Sequence, residues 1–206
     1  MTSCTAGRLG REFFDRPPDA VAYDLVGAVI VLGEGSRELR ALIVETEAYG
    51  GLDDPASHAF RGPTNRCEVM FGPPGVLYVY RIYGLHWCLN VVTEGSGTAS
   101  AVLLRAAELC ARSDGDQLPT PESVPLTGPG NLTRGLGVTG ADNGTDCCDD
   151  SVSRIAFYKS ATVDLGPVAR SARVGIARGQ ERLSRYFLDG HPAVTRTPGV
   201  SRRGAH

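Results

Sequence analysis

The chain is short of lysine. Lys159 stands alone against 20 arginines, so any chemistry that needs a lysine amine is confined to one position. Long apolar runs are missing as well. No stretch approaches the roughly 20 residues of a membrane-spanning helix, and the start, MTSCTAGRLGREFF, lacks the apolar core of a secretory signal. A cytoplasmic location is the expectation. There is no C-x-x-C among the six cysteines (Cys4, Cys67, Cys88, Cys110, Cys147, Cys148), and none of the four histidines is spaced with them like a ligand. Adjacent cysteines such as Cys147 and Cys148 make a poor start for a tetrahedral metal site. The cysteines read as free thiols of a reducing compartment, with no metal expected. Hydrophobic residues at 42% and charged residues at 21% exclude disorder, collagen and coiled coil as the main architecture. At 206 residues the chain is expected to be one domain.

The net charge of −2 is unevenly spread. Residues 106–153 hold eight acids and two arginines, whereas 173–206 carry seven arginines against Glu181 and Asp189. An acidic total is therefore compatible with a local basic face.

The apolar pattern predicts mostly strands. Leu9, Phe13 and Phe14 have helical spacing within 7–16, and Asp19 is placed to cap a second short helix from Ala20 to Leu25. Ala28 to Leu32 and Leu39 to Tyr49 read as strands around the turn Gly33-Glu34-Gly35-Ser36. Residues 53–75 form a long connection rich in Gly, Pro, Asp and Asn, and long ordered loops within a domain are usually functional. Val76 to Ile82, the tight turn at Tyr83-Gly84, and Trp87 to Thr93 read as a hairpin. Ala101 to Ala106 follows as a further strand. Consecutive strands with short turns favour antiparallel pairing. Leu132 to Val138 reads as a short helix, 163–186 mixes both signals, and 195–206 reads as a frayed tail. The expected fold is a mixed α/β (α+β) domain.

Polar residues interrupt these strands at a few places. Period two puts Ile43, Glu45, Glu47 and Tyr49 on one strand face. The ordinary explanation is a strand that emerges into solvent after Val44. Arg105 follows Ala101-Val102-Leu103-Leu104, and an arginine there needs a carboxylate partner. Glu45 or Glu47 can serve, and a structural salt bridge would suffice to explain it. Asn90 lies between Leu89 and Val91 and must find hydrogen bonds if buried, either as cross-bracing or in reading a ligand. Tyr83 falls on a hairpin tip, where an exposed aromatic often binds something. His58 sits in the long loop and by itself reads as a surface histidine.

Together these features are more telling. Tyr49, His58 and Tyr80 are candidate walls for a flat ring. A glutamate and an arginine can hold a water, Asn90 can inspect a ring edge, and Tyr83 can wedge between bases. That is the set of parts needed to extrude a base and act on it.

The blocks VETEAYGGLDDPASHAFRG (44–62), VMFGPPGVLYVYRIYGLHWCLNVV (69–92), AVLLRAAE (101–108), GPGNLTRGLGV (128–138) and ARVGI (172–176) resemble, in order and spacing, the alkyladenine (3-methyladenine) DNA glycosylase family. The likeness runs from about residue 7 to residue 194. It implies a single domain on a curved antiparallel sheet flanked by helices, acting as a monomer without metal or cofactor on double-stranded DNA that contains damaged purines. It implies Glu47 as the general base for an attacking water, held also by Arg105 and the Val174 carbonyl. Tyr49, His58 and Tyr80 correspond to the stacking walls, and Tyr83 to the wedge. Asn90 corresponds to the residue that crowds a guanine amino group, and the backbone near Ala56 and His58 to the reader of the purine 6-position. Two departures stand out: Cys67 ends Thr64-Asn65-Arg66-Cys67 where the family usually has asparagine, and the stretch after Glu108 is acidic and Pro-rich.

The chemistry implied is hydrolysis of the bond between sugar and base for 3-methyladenine, 7-methylguanine or hypoxanthine. On this reading Arg105 keeps Glu47 ionised. A glycosylase that also cuts the backbone needs an amine for a Schiff base; Lys159 lies outside every block, so a monofunctional enzyme is expected. The alternatives are a damaged-DNA-binding protein with little turnover, or a glycosylase for bulky purine adducts.

Overall fold

The structure is a computed structural model and describes residues 5–34, 37–112, 125–149, 151, 153–161 and 165–196. Its strands are β1 (Thr5–Arg8), β2 (Val29–Glu34), β3 (Arg37–Tyr49), β4 (Leu77–Ile82), β5 (His86–Thr93), β6 (Ser100–Arg112), β7 (Ile155–Ser160), β8 (Val168–Ser171) and β9 (Arg185–Leu188). They form one antiparallel sheet in the order β1-β7-β2-β3-β6-β5-β4. β9 pairs with the later half of β3, and β8 pairs with β9. Among the described residues three α-helices accompany the sheet: α1 (Arg11–Phe14), α2 (Pro18–Leu25) and α3 (Pro129–Leu136). The fold is the expected mixed α/β single domain. The sheet is antiparallel and extensive, but not strongly curled. Among the described residues no helix is long and apolar enough to cross a membrane.

Several local expectations are corrected. The helical spacing in 7–16 yields only the single turn α1, because Thr5–Arg8 is taken up as an edge strand against β7. Asp19 does not cap α2. Proline occupies the first helical position, Pro17 is the cap, and the Asp19 carboxylate instead accepts the Tyr186 hydroxyl at 2.8 Å. α3 likewise starts earlier than expected, at Pro129, since proline lacks the N–H that the first turn leaves unpaired. The turn at 35–36 and the tail 197–206 lie outside the described residues. The preceding tail residue, Thr195, is anchored to Glu45, so the chain is not frayed there.

The long β3 positions the site. Val21, Ala22 and Leu25 of α2 are fully buried, and the Thr46 hydroxyl donates to the Ala22 carbonyl at 2.8 Å. Thr46 therefore faces α2, and alternation sends Glu45 and Glu47 to the opposite face. That face is covered too: Arg105 and Thr195 lie against Glu45 and the Val174 amide against Glu47, while β9 pairs along the strand's edge (Glu45↔Phe187, Glu47↔Arg185). This is why the strand does not emerge into solvent, and why Glu45, Thr46 and Glu47 are each 0% exposed. The β3–β6 register is irregular around these residues, passing from Glu45↔Ala106 to Thr46↔Leu104. Arg105 falls in that gap. Such bulges re-aim a side chain, and here the side chain meets both glutamates.

The main core gathers Phe14, Leu25, Ile30, Ile43, Leu104 and Phe157, among others. A smaller cluster of Ala59, Cys67, Met70, Val76, Tyr78, Val92, Ala99 and Ala101 fixes the long loop on the far end of the sheet. Cys67, the departure from the family pattern, is fully buried there, with its Sγ 3.1 Å from Thr64 Oγ1.

Candidate active site

A cavity of about 600 Å³ opens where the end of β3, the 53–58 loop, the β4–β5 hairpin and the 174–178 segment meet. Tyr49, Ala56, His58, Tyr80, Tyr83, Asn90, Arg105 and Val174 line it. These residues, from four separate blocks of sequence, thus converge on one volume, which is ample for a purine. Glu47 is 0% exposed and sits behind these lining groups.

Three donors hold the Glu47 carboxylate. The Val174 N–H donates to Oε1 at 2.7 Å, the Tyr49 hydroxyl donates to Oε2 at 2.8 Å, and Arg105 Nη1 lies 3.2 Å from Oε1. Val174 therefore touches the glutamate through its amide; the expected role of its carbonyl is toward the water. Tyr49 is both a wall and a hydrogen-bond partner of the carboxylate.

The expectation that Arg105 simply keeps Glu47 ionised is incomplete. Burial pushes the Glu47 carboxyl above its usual range, and it outweighs the downward pull of Arg105, the Val174 amide and the Tyr49 hydroxyl. Arg105 is bound more closely to Glu45, with Nε to Oε1 at 2.7 Å. Glu45 also accepts from Arg185 Nε at 2.7 Å and from the Thr195 N–H at 2.7 Å and hydroxyl. Burial opposes its charge as well, but Arg105, Thr195 and Arg185 together hold Glu45 below the ordinary carboxylate range. Two glutamates on one strand thus have proton affinities moved in opposite directions, a pattern typical of sites with assigned acid and base roles.

The ring walls are ordered by their neighbours. His58 Nδ1 is 2.9 Å from the Tyr78 hydroxyl, and the His58 and Tyr80 rings meet edge to face at 4.6 Å. Burial, and then Arg66, lower the histidine's proton affinity, which favours the neutral ring. Asn90 is buried, and its amide donates to the Tyr78 carbonyl at 2.9 Å; cross-bracing and a position on the cavity wall are both realised. The Ala56 N–H is already donated to Asp54 Oδ1 at 3.1 Å.

Tyr83 is 87% exposed. The Leu85 N–H donates to the Ile82 carbonyl, closing a turn in which both Tyr83 (φ 51°) and Gly84 (φ 68°) have positive φ. Such turns prefer Asn-Gly. A tyrosine in the left-handed region carries strain, and this kind of outlier recurs at functional positions.

This chain matches the Methylpurine-DNA glycosylase (MPG) family over residues 12–192. The chain belongs to that family. Three relatives illustrate the closeness. A protein of Frankia casuarinae is 45% identical over 197 residues, covering 90% of this chain and 91% of its own. One of Synechococcus sp. (strain JA-3-3Ab) is 43% identical over 199 residues, covering 89% and 97%. One of Mycobacterium tuberculosis is 42% identical over 204 residues, covering 91% and 95%. Each carries the provisional name 3-methyladenine DNA glycosylase. As a methylpurine-DNA glycosylase this protein is a DNA-repair hydrolase of N-glycosyl bonds, and damaged DNA is the substrate the family implies.

Around this cavity lie residues that sequence reasoning did not single out. Asp54 and Arg173 form a fully buried ion pair. Arg185 and Thr195 close over Glu45. Exposed Arg66 and Arg178 line the cavity mouth. Asp54 was masked by a loop rich in turn-forming residues, where an aspartate reads as a solvated turn. Arg173 directly precedes Val174 within a recognised block, and that adjacency was the available signal.

Proposed function

We propose that this glycosylase excises alkylated and deaminated purines of the 3-methyladenine, 7-methylguanine and hypoxanthine class from duplex DNA, leaving an abasic site. The target nucleotide swings out of the helix into the cavity, Tyr83 fills the gap in the stack, and the base lies among Tyr49, His58 and Tyr80. Glu47 takes a proton from the attacking water as the bond from C1′ to the base nitrogen breaks. Its carboxylate also offsets the positive charge that develops on the sugar. Arg105 and the Val174 backbone hold the carboxylate, and the water beside it, in place. Asn90 stands at the ring edge, where an exocyclic amino group would crowd it. Arg66 and Arg178 at the mouth suit phosphate contacts.

The observation that carries this reading is the buried Glu47 carboxylate, gripped by Tyr49, Arg105 and Val174 directly behind an aromatic-walled cavity of purine size. A cationic alkylated purine gains from the aromatic faces, and a weakly paired base is the cheapest to flip.

The test is base release from methylated duplex DNA by the wild type and by Glu47→Gln. Excision by the wild type and a loss of about 10²–10⁴-fold in the variant, with lesion binding retained, supports the assignment. Binding of lesion DNA with no release by either protein identifies a damage-binding protein instead.

A further inference from the structure

Tyr49, a cavity-lining residue, has a cation over its ring that comes from a residue outside the cavity lining. The Arg173 guanidinium carbon lies 4.6 Å from the ring centroid. Tyr49 lines the cavity and Arg173 does not. The Arg173 side chain is 0% exposed. Its Nη atoms are committed to both Asp54 oxygens and to the Ala48 carbonyl, and Asp54 is itself fixed by the Gly50 and Ala56 amides. Gly179, at φ +65°, brings the backbone so near that an added Cβ would stand 2.9 Å from Arg173 Nη2. The Arg173 Nε is buried with no acceptor among the described residues. The head group is therefore placed over the ring at the cost of one hydrogen bond, which an ion pair needed only for stability would not require.

We propose that Arg173 is a specificity-determining residue, which weakens the hold of the Tyr49 wall on cationic purines and so narrows the preference for cationic over neutral lesions. The proposal rests on the reading of Tyr49 as a wall of the base site. A ring attracts cations through its negative faces. With one cation already over it, the ring is less negative and binds a second cation less well. 3-Methyladenine and 7-methylguanine in DNA carry a positive ring, and hypoxanthine does not. Cationic bases also leave more readily by themselves. A wall that favours them less brings the neutral lesion closer to parity.

Removing Arg173 alone strands the Asp54 charge, so the test uses neutral pairs: Arg173→Gln with Asp54→Asn, and Arg173→Met with Asp54→Leu. Single-turnover base release is measured for 7-methylguanine and for hypoxanthine in the same duplex sequence. The expected result is a ratio of 7-methylguanine to hypoxanthine excision that rises about two- to tenfold over wild type in whichever neutral pair folds, with Arg173→Lys remaining near the wild-type ratio. Equal loss on both lesions, with the ratio unchanged, overturns the proposal and leaves Arg173 a structural residue. Release of neither lesion by the wild type overturns the base-site reading itself, and this proposal with it.

Discussion

Glu45 and Glu47 share a single guanidinium. Arg105 places Nε 2.7 Å from Glu45 and Nη1 3.2 Å from Glu47, and both carboxylates are fully buried. The sharing is unequal. Glu45 has Arg185 and Thr195 in addition, while among the described residues Glu47 has only neutral donors beyond Arg105. One carboxylate is thereby favoured as an anion, and burial has raised the proton affinity of the other.

Glu45→Gln should be the costlier substitution for folding. It leaves Arg105 and Arg185 without their shared counter-charge in the interior, and breaking a buried pair in this way costs about 3–5 kcal/mol. For a domain of this size that corresponds to a fall of about 6–20 °C in Tm. Thermal melts of the variant beside wild type measure it; an unchanged Tm means that the network contributes little.

Acid should act on activity and stability in separate ways. Base release needs Glu47 ionised, and its raised proton affinity places the acidic limb of kcat/KM above the pH at which a free glutamate titrates. Stability follows Glu45 and Asp54, both held low. The unfolded chain binds protons at these positions more readily than the folded one, so their stabilisation is present above the ordinary carboxylate range and is lost as pH falls through their lowered values. Glu47 has the opposite sign, its contribution being lost as pH rises through its raised value. Glu47→Gln should therefore hold or raise Tm at neutral pH while lowering excision by about 10²–10⁴-fold. pH–rate profiles and melts across pH test both parts.

Tyr83→Asn should separate the fold from function. Asparagine tolerates positive φ better than tyrosine, and Tyr83 has little packing to lose, so Tm should stay level or rise slightly. Excision should fall about 5- to 150-fold, the range expected for losing one aromatic stack of about 1–3 kcal/mol. A Tm drop with excision intact would assign Tyr83 to the fold and not to DNA.

Borohydride should trap no covalent adduct on lesion DNA. Lys159 is exposed on β7, which is separated from β3 by β2, and it is not among the residues lining the cavity. A trapped species on denaturing gels would show that an amine reaches the sugar and that the enzyme is not monofunctional.

Much of this was legible in the chain. Alternating apolar residues with short turns predicted the antiparallel strands, including the β4–β5 hairpin with Tyr83 at its tip. The blocks also contain the candidate residues that the fold brings to one cavity. Local pattern was weakest at the edges. Thr5–Arg8 has no strand signal of its own and pairs only because β7 offers a free edge, and Asp19 reads as a cap until Pro18 takes the first turn.

Sequence by itself thus determined the class of fold, the lone lysine, and the set of groups available for opening a glycosidic bond. Tertiary structure alone decided their states. Whether Glu45 and Glu47 meet solvent depends on α2 covering one face of β3, on Arg105, Val174 and Thr195 covering the other, and on β9 closing its edge. Whether Arg105 reaches both carboxylates depends on a register gap between strands some 60 residues apart in sequence. Placing Arg173 over the Tyr49 ring takes a loop 125 residues further along the chain than Ala48, whose carbonyl it holds. Proton affinity and ring electrostatics are set by desolvation and by charges at a few ångströms. Those distances are properties of the packed chain and of no segment within it.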